Sequence, residues 1–318
     1  MKMRALGRTG IQIAPIVLGG NVFGWTADEK TSFAVLDSFA EAGCNAVDTA
    51  DVYSSWAPGN KGGESETIIG KWMKARSNRN RMVVITKVGS DMGGGRKGLG
   101  AAYIEKAVDA SLQRLGIETI DLYLSHWPDA ETPYTETLGA YEKLLQKGKV
   151  RAVGASNLDA NQLREALTIA HDRKLPRYAV LQPEYNLYDR SGFEGALQDL
   201  CVKEEIGVIT YFGLAKGFLT GKYREKSDLA QSQRGEDVAD YMNPRGMQIL
   251  EALDQVAKRH NARSAEVALA WVMAQPGVTA PIASATSVEQ VRSLIRAASL
   301  NLEVADLALL NGTGPRQL

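Results

Sequence analysis

Short apolar runs alternate with amphipathic segments along almost the whole chain. The apolar runs have the length of strands, and the segments between them carry apolar residues at helical spacing. The pattern predicts strands over Ile16–Leu18, Ala46–Asp48, Met82–Lys87, Ile120–His126, Arg151–Gly154, Ala179–Gln182, Val208–Tyr211 and Thr279–Ile282. It predicts helices over Phe33–Ala42, Glu66–Lys74, Tyr103–Leu115, Leu138–Gln146, Ala160–His171, Phe193–Glu204, Gly246–His260 and Val288–Ala298. Because a helix follows each strand, we expect a parallel sheet closed into a (β/α)8 TIM barrel.

Two further segments accompany the predicted barrel. Met3–Leu6 and Ile11–Ile13 flank a glycine-rich turn and predict an N-terminal β-hairpin. Thr220–Asn243, after the seventh strand, is polar and longer than an ordinary barrel loop. This extended loop is either a lid over a ligand or a plain surface insertion. Since the chain contains no linker or low-complexity tract, we predict a single domain over residues 1–318.

An open, doubly wound sheet is the competing architecture. It requires a glycine-rich phosphate loop directly after the first strand and before the first helix. Gly19-Gly20-Asn21 stands at that place, without the required spacing. The run Gly93-Gly94-Gly95 follows the third strand and is better interpreted as a loop than as a phosphate cradle. The barrel is therefore the favoured prediction.

Composition narrows the class of function. Apolar residues make up 44% of the 318 residues, and 37 basic side chains balance 37 acidic ones. A chain with no net charge has no long-range field that would attract nucleic acid or anionic lipid. The two cysteines, Cys44 and Cys201, lie beside apolar residues and outside any metal-ligand spacing, so we expect reduced thiols and no metal. Without a membrane-length apolar run or a secretory signal at its start, the chain is expected to be cytoplasmic.

Ionisable side chains end three consecutive predicted strands. Asp48, Lys87 and His126 close the second, third and fourth strands, and Tyr53 follows Asp48 in the next loop. Active sites of such barrels lie at these carboxyl ends. Each residue also has a structural interpretation: Asp48 and Lys87 as a buried ion pair, His126 as a core residue, Tyr53 as a loop aromatic. The occurrence of all four at the same end of adjacent strands favours a catalytic site over these structural interpretations.

The chemistry that suits these four residues is proton donation to a carbonyl oxygen. A phenol with a pKa of about 10 is a weak acid, and we expect the Lys87 ammonium to lower the pKa of Tyr53 while Asp48 keeps the lysine charged. His126 could donate a hydrogen bond that positions the carbonyl oxygen. None of these groups supplies a hydride, so the sequence predicts a nicotinamide cofactor.

The remaining predicted strands end in residues that could hold such a cofactor. Ser156 and Asn157 offer side-chain donors for a carboxamide, and Tyr211 offers a ring for stacking. The segment from Leu214 to Tyr223 offers backbone amides and lysines for a pyrophosphate. The last predicted helix favours phosphate at its N-terminus, although Ser287 is also a good helix N-cap.

Taken together, these motifs resemble the aldo-keto reductase family, from Leu6-Gly7-Arg8-Thr9-Gly10 to the last predicted helix. Those that carry the resemblance are Asp48-Thr49-Ala50 with Tyr53, Gly63-Glu64-Ser65-Glu66, Thr86-Lys87, Asp121-Leu122-Tyr123 with His126, Val153-Gly154-Ala155-Ser156-Asn157 and Gln182-Pro183-Glu184-Tyr185-Asn186. The resemblance implies NAD(P)H-dependent reduction of aldehydes or ketones to alcohols, with Tyr53 as the proton donor.

The resemblance also implies roles for individual residues. Asp48, Tyr53, Lys87 and His126 would form the catalytic tetrad. The cofactor residues would be Ser156, Asn157 and Gln182 at the carboxamide, Tyr211 on the nicotinamide, Leu214, Gly217 and Lys222 along the pyrophosphate, and Ser284, Thr286 and Gln290 at the adenosine. The substrate pocket would be lined by Phe23, Trp25, Trp56 and Trp127.

The adenosine end departs from the family pattern. Leu294 stands where the family often has asparagine, and the arginine often found near Thr286 is missing. Arg292 could supply a positive charge for a 2′-phosphate. NADPH is therefore the favoured cofactor, with NADH as the alternative.

Two other functions remain open at this point. In one, Lys87 is the nucleophile of a Schiff-base aldolase, which would require an apolar pocket that depresses the lysine pKa. In the other, the chain binds NADPH as a regulatory or redox-sensing subunit with little turnover, as relatives of this fold do for ion channels. The predicted partner of the reductase is a small carbonyl compound.

Overall fold

A closed parallel barrel is the centre of the molecule. A computed structural model describes residues 1–231 and 235–314. The barrel strands are β3 (Val17–Gly19), β4 (Ala46–Asp48), β5 (Val83–Val88), β6 (Ile120–Ser125), β7 (Val150–Ser156), β8 (Val180–Gln182), β9 (Gly207–Thr210) and β10 (Val278–Ala283). Each pairs in parallel with the next, and β10 closes the barrel against β3. The predicted fold is confirmed.

The N-terminal hairpin is also present. Strands β1 (Arg4–Ala5) and β2 (Gln12–Ile13) pair in antiparallel fashion. A guanidinium nitrogen of Arg4 donates to the main-chain oxygen of Thr279, near the start of β10. Gly7 adopts φ +54°, and a Cβ there would lie 2.5 Å from the Gly207 nitrogen at the start of β9. The hairpin therefore closes the amino-terminal end of the barrel and leaves the carboxyl end open.

Helices surround the barrel. They are α1 (Glu29–Glu41), α2 (Glu64–Arg76), α3 (Ala101–Leu115), α4 (Tyr134–Gln146), α5 (Ala160–Arg173), α6 (Ala196–Lys203), α7 (Pro244–His260), α8 (Ser264–Met273), α9 (Val288–Ala297) and α10 (Val304–Asn311). Helices α8 and α10 were not predicted. Every residue of α8 from Glu266 to Met273 is buried, so the helix lacks the polar stripe that marks an amphipathic segment. Helix α10 is only 8 residues long.

The loop after β9 is packed against the barrel in the part that the structure describes. It contains short 3₁₀ segments at Lys226–Gln231 and Glu236–Tyr241, while residues 232–234 lie outside the described residues. Val238 is fully buried, and the ring of Tyr241 stacks on Phe218 at 5.6 Å between centroids. This part of the predicted extended loop is therefore anchored in the core.

The two cysteines are buried and unpaired. Burial raises the pKa of the Cys44 thiol to about 11 and that of the Cys201 thiol to about 12, so both are protonated thiols at neutral pH. Among the described residues, no group of histidine, cysteine and acidic side chains is arranged to hold a metal. None of the described helices is both long and apolar enough to cross a bilayer.

Candidate active site

One large cavity opens at the carboxyl ends of the barrel strands. Its volume is about 870 Å³, within the range of about 300–1,000 Å³ that is typical of small-molecule sites. The predicted site residues that line it are Trp25, Asp48, Tyr53, Trp56, His126, Trp127, Ser156, Asn157, Gln182, Tyr211, Leu214, Gly217, Lys222, Ser284, Thr286 and Gln290. Predictions made from separate strands thus converge on a single cavity.

Lys87 lies beneath this cavity and joins two of its residues. Its Nζ donates to Oδ2 of Asp48 at 2.7 Å, to the carbonyl oxygen of Thr49 at 2.8 Å and to Oη of Tyr53 at 2.8 Å. All three ammonium hydrogens are therefore used. The other carboxylate oxygen of Asp48 accepts from Nε2 of Gln182 at 2.9 Å. Because Lys87 has no exposed surface, its ammonium acts on the cavity only through Tyr53 and Asp48.

The protonation states of this cluster follow from its burial. Burial, followed by the negative charge of Asp48, raises the pKa of Tyr53 well above 10. Burial lowers the pKa of Lys87, and the charge of Asp48 opposes that shift. The sequence led us to expect a lowered pKa for Tyr53, and the structure gives a raised one, because burial and the Asp48 carboxylate outweigh the ammonium that lies 2.8 Å from the phenol oxygen. Tyr53 is a protonated phenol at neutral pH.

His126 faces Tyr53 across the cavity wall. The two rings are 5.9 Å apart in an edge arrangement, and the Trp127 ring stacks on the imidazole at 5.9 Å. Burial, with a smaller contribution from the charge of Lys87, lowers the pKa of His126 well below 6.5. The imidazole is therefore neutral at pH 7 and carries one hydrogen. Oγ of Ser90 lies 2.8 Å from its Nδ1.

The residues predicted at the carboxamide form a hydrogen-bonded group. Oγ of Ser156 donates to the carbonyl oxygen of Gln182 at 2.7 Å, and Nδ2 of Asn157 donates to the carbonyl oxygen of His126 at 2.9 Å. The Tyr211 hydroxyl donates to Oδ1 of Asn157 at 2.7 Å. Asn157 adopts φ +63°, a left-handed conformation that asparagine tolerates better than most residues. These side chains are held in fixed orientations at the cavity wall.

The loop after β9 has an unusual backbone where it lines the cavity. Phe212, Ala215 and Lys216 adopt φ values of +53°, +46° and +56°, and Gly217 follows at +109°. Left-handed residues other than glycine cost about 1–3 kcal/mol each and persist only where the surroundings hold them. Here Nδ2 of Asn186 donates to the carbonyl oxygen of Phe212 at 3.0 Å. Such strain is typical of a loop shaped to fit a ligand.

At the far end of the cavity, polar side chains pair with one another. The Ser284 hydroxyl contacts Oδ1 of Asn21, and the Thr286 nitrogen donates to Oε1 of Gln290 at 2.7 Å. The Ser287 hydroxyl accepts from the Gln290 nitrogen, so Ser287 is also the N-cap of α9. The structural and ligand-binding interpretations of this loop are compatible.

An arginine at this end was missed by the sequence analysis. Arg263 lines the cavity and donates to Oε1 of Glu289 at 2.6 Å. Arg292, which was expected to supply the positive charge, is exposed and does not line the cavity. Arg263 directly precedes α8. Because that helix has no periodic hydrophobic pattern, the sequence did not predict that Arg263 lies at the start of a helix beside the cavity.

The aromatic mouth of the cavity was predicted in part. Trp25 and Trp56 meet edge to face at 5.7 Å, and Trp56 and Trp127 are about half exposed. Phe23 does not line the cavity and is fully buried, which corrects the prediction for this residue. Its carbonyl oxygen accepts from Oγ of Ser54 at 2.7 Å, so it anchors the turn whose next residues reach the cavity.

Fold and site together define a closed parallel barrel with a large cavity at the carboxyl ends of its strands. Residues 15–313 match the model of the Aldo/keto reductase family, and the chain belongs to that family of oxidoreductases.

Three of the relatives that the chain resembles match it over nearly its whole length. It is 34% identical to the uncharacterized oxidoreductase YrpG of Bacillus subtilis, over 99% of this chain and 96% of the relative. It is 32% identical to an NADH-specific methylglyoxal reductase of Escherichia coli, over 98% and 97%. It is 31% identical to a probable voltage-gated potassium channel subunit beta of Oryza sativa, over 92% and 89%.

Proposed function

We propose that this protein, acting as a single domain, reduces aldehydes or ketones to alcohols with NADPH, and that Tyr53 donates the proton. The observation that carries the proposal is the buried chain from Asp48 through Lys87 to the Tyr53 hydroxyl, with distances of 2.7 and 2.8 Å. A purely structural ion pair does not require a phenol beside it that lines the main cavity. An aldo-keto reductase of the carbonyl reductase type requires one there, because its proton donor must reach the carbonyl oxygen of the substrate.

The direction of the hydrogen bonds makes Tyr53 a proton donor toward the cavity. Nζ of Lys87 donates to the phenol oxygen, so the phenol hydrogen points elsewhere. Within the described part of the chain its one acceptor is Oδ2 of Asp48 at 3.4 Å, which is long for an O–H···O bond. A carbonyl oxygen in the cavity would be a better acceptor. As the proton leaves, the ammonium stabilises the new phenolate, which is an interaction made mainly in the transition state.

The residues present fit a nicotinamide cofactor. When bound, it would supply a hydride to the carbonyl carbon. Ser156, Asn157 and Gln182 would orient the carboxamide, and Tyr211 would lie against the ring. The fit rests on the fixed orientation of these side chains and on the left-handed loop that includes Lys216. Leu214, Gly217 and Lys222 would follow the pyrophosphate, and Ser284, Thr286 and Gln290 would meet the adenosine.

The charges at the far end of the cavity favour NADPH. Arg263 lines the cavity near Thr286 and Gln290, and its partner Glu289 does not line it. A 2′-phosphate would gain a charge-assisted hydrogen bond from Arg263 in competition with Glu289. Because one relative is named as NADH-specific, the affinities for NADPH and NADH are the quantities to compare. Preference for NADH over NADPH in binding would contradict this part of the proposal.

The substrate is proposed to be a small uncharged carbonyl compound. Trp25, Trp56 and Trp127 present apolar ring surface at the mouth of the cavity. His126 would be the neutral hydrogen-bond donor to the carbonyl oxygen. Aromatic aldehydes fit such a slot, and methylglyoxal is a second candidate because a relative is named for it.

The Schiff-base alternative has little support. Lys87 is fully buried, and its three hydrogens are committed to Asp48, Thr49 and Tyr53. Its nitrogen therefore has no path to a carbonyl carbon in the cavity. Borohydride treatment in the presence of an aldehyde should leave Lys87 unmodified.

The regulatory alternative is favoured by one observation, the similarity to a protein named as a potassium channel subunit. Steady-state turnover distinguishes the two functions. We expect purified protein to oxidise NADPH in the presence of 4-nitrobenzaldehyde or methylglyoxal, and NADH more slowly. Binding of NADPH, followed by tryptophan fluorescence, without turnover of any carbonyl in a broad panel would favour the regulatory role.

A further inference from the structure

Ser90 is held at the edge of the cavity by the backbone that follows β5. Gly89 adopts φ +112°, where a Cβ would lie 2.8 Å from the Leu99 side chain. The Gly98 nitrogen donates to the Gly89 carbonyl oxygen at 3.1 Å and closes the loop over this point. Ser90 is consequently buried, with 8% of its surface exposed. Its hydroxyl is directed at the His126 ring.

The contact between Ser90 and His126 can be made in two ways. Oγ of Ser90 lies 2.8 Å from Nδ1, and a neutral imidazole has one nitrogen that donates and one that accepts. Either Nδ1 carries the hydrogen and donates to Ser90, or Ser90 donates to a bare Nδ1 and Nε2 carries the hydrogen. Only the second tautomer can donate a hydrogen bond from Nε2.

Hydrogen-bond satisfaction distinguishes these two tautomers. Within the described residues, Oγ of Ser90 makes no hydrogen bond other than the one to His126. If Nδ1 donated, the buried hydroxyl hydrogen of Ser90 would have no acceptor, which is costly. If Ser90 donates, that hydrogen is satisfied and the hydrogen on Nε2 is left for a ligand. The other side-chain contacts of the ring, to Tyr53 and Trp127, orient its plane and do not select a tautomer.

We propose that Ser90 is a positioning residue that holds His126 in its Nε2–H tautomer. The imidazole then donates to the same carbonyl oxygen that receives the proton of Tyr53. This inference rests on the proposed function for its catalytic meaning, whereas the tautomer itself is a property of the free protein. The two can therefore fail separately.

The tautomer can be measured directly. The chain has three histidines, so the imidazole nitrogens of ¹⁵N-histidine-labelled protein are assignable by NMR with His126→Asn. We expect the Nε2–H pattern for His126 in the unaltered protein and in Ser90→Thr, which keeps the hydroxyl. In Ser90→Ala we expect a mixture of tautomers. An Nδ1–H pattern in the unaltered protein, or an unchanged pattern in Ser90→Ala, would overturn the proposal.

Kinetics test the consequence for catalysis. We expect Ser90→Ala to lower kcat/KM about tenfold, less than the loss on removing a transition-state hydrogen-bond donor outright. Ser90→Thr should retain most of the kcat/KM of the unaltered protein, and the NADPH affinity measured by fluorescence should not change in either variant.

A double variant tests whether Ser90 acts through His126. In the His126→Asn background, Ser90→Ala should have no further effect on kcat/KM, because the two residues act as one unit. An equal loss in that background would refute an action through His126. If no carbonyl is turned over, the proposed function fails, and the NMR result still decides the tautomer.

Discussion

The ammonium nitrogen of Lys87 lies 2.7 Å from Oδ2 of Asp48, and the two side chains are almost wholly removed from solvent. Such a pair is compatible with both interpretations that the sequence left open, since it is an ion pair of the barrel and also adjoins the Tyr53 hydroxyl. Burying two charges is rarely a net gain in stability. The arrangement is better explained by what it does to Tyr53 than by what it adds to the fold.

Replacing Tyr53 by phenylalanine should abolish most of the reductase activity. We expect kcat to fall by about 10²–10⁴-fold, the usual contribution of a positioned acid. Lys87 would keep its bonds to Asp48 and Thr49, so the fold should survive. NADPH oxidation with 4-nitrobenzaldehyde measures the loss. Unchanged activity would refute the proposed proton donor.

Tyr123 provides a matched control for that substitution. Its hydroxyl is fully buried and has no hydrogen-bond partner in the described part of the chain. Tyr123→Phe should leave kcat unchanged. It should also raise the free energy of unfolding by about 1 kcal/mol, because an unsatisfied buried group is removed. A clear loss of stability in urea denaturation would mean that the hydroxyl has a partner, such as a buried water.

Removing the charge of Lys87 should destabilise the fold more than removing both charges. In Lys87→Met the Asp48 carboxylate keeps Gln182 as a partner but loses its ammonium, and breaking a buried pair costs about 3–5 kcal/mol. The double variant Asp48→Asn/Lys87→Met should recover much of that stability without recovering activity. Urea unfolding and turnover assays measure the two effects. Equal destabilisation of both variants would contradict this account of the pair.

A second ion pair, between a fully buried carboxylate and a partly exposed arginine, joins helices α2 and α3. The fully buried carboxylate of Glu66 accepts from Arg114 at 2.6 Å and from the Thr86 hydroxyl at 2.6 Å. Arg114→Met should lower the free energy of unfolding by about 3 kcal/mol. The exposed pair of Lys71 with Glu29, also at 2.6 Å, is the control, and Lys71→Met should cost about 0–1 kcal/mol. Similar losses in the two variants would show that burial is not the deciding factor.

Asp51 should make stability depend on pH. Burial, followed by the charge of Glu66, raises the pKa of this carboxyl from 3.8 to about 7, while Arg114 and Lys87 oppose the shift. Because the folded state holds the proton more tightly, stability is greatest below the unfolded pKa. It falls as the pH rises toward about 7 and is level above that.

Asp51→Asn cannot ionise and tests this dependence. The stability of the variant relative to the unaltered protein should rise by on the order of 2 kcal/mol between about pH 5 and about pH 8. Urea unfolding of both proteins at the two pH values measures the change. A stability difference that does not vary with pH would mean that Asp51 is ionised in the folded state throughout this range.

The barrel and most of the candidate site could be predicted from local features of the chain. Strands such as Ile120–Ser125 are short apolar runs, and helices such as α7 have apolar residues on one buried face. The alternation of these two sequence patterns along the chain predicted the barrel. The rule that barrel sites lie at the carboxyl ends of strands then selected Asp48, Lys87 and His126. No knowledge of distances was needed for these inferences.

Other features depend on contacts between distant segments, and only the tertiary structure decided them. Helix α8 is buried on all sides and has no periodic signal, so it was missed together with Arg263. Phe23 and Trp25 are both aromatic residues of one turn, and packing alone placed the first in the core and the second at the cavity. The pKa of Tyr53 and the contact of Ser90 with His126 likewise arise from burial and from side chains that meet across different strands.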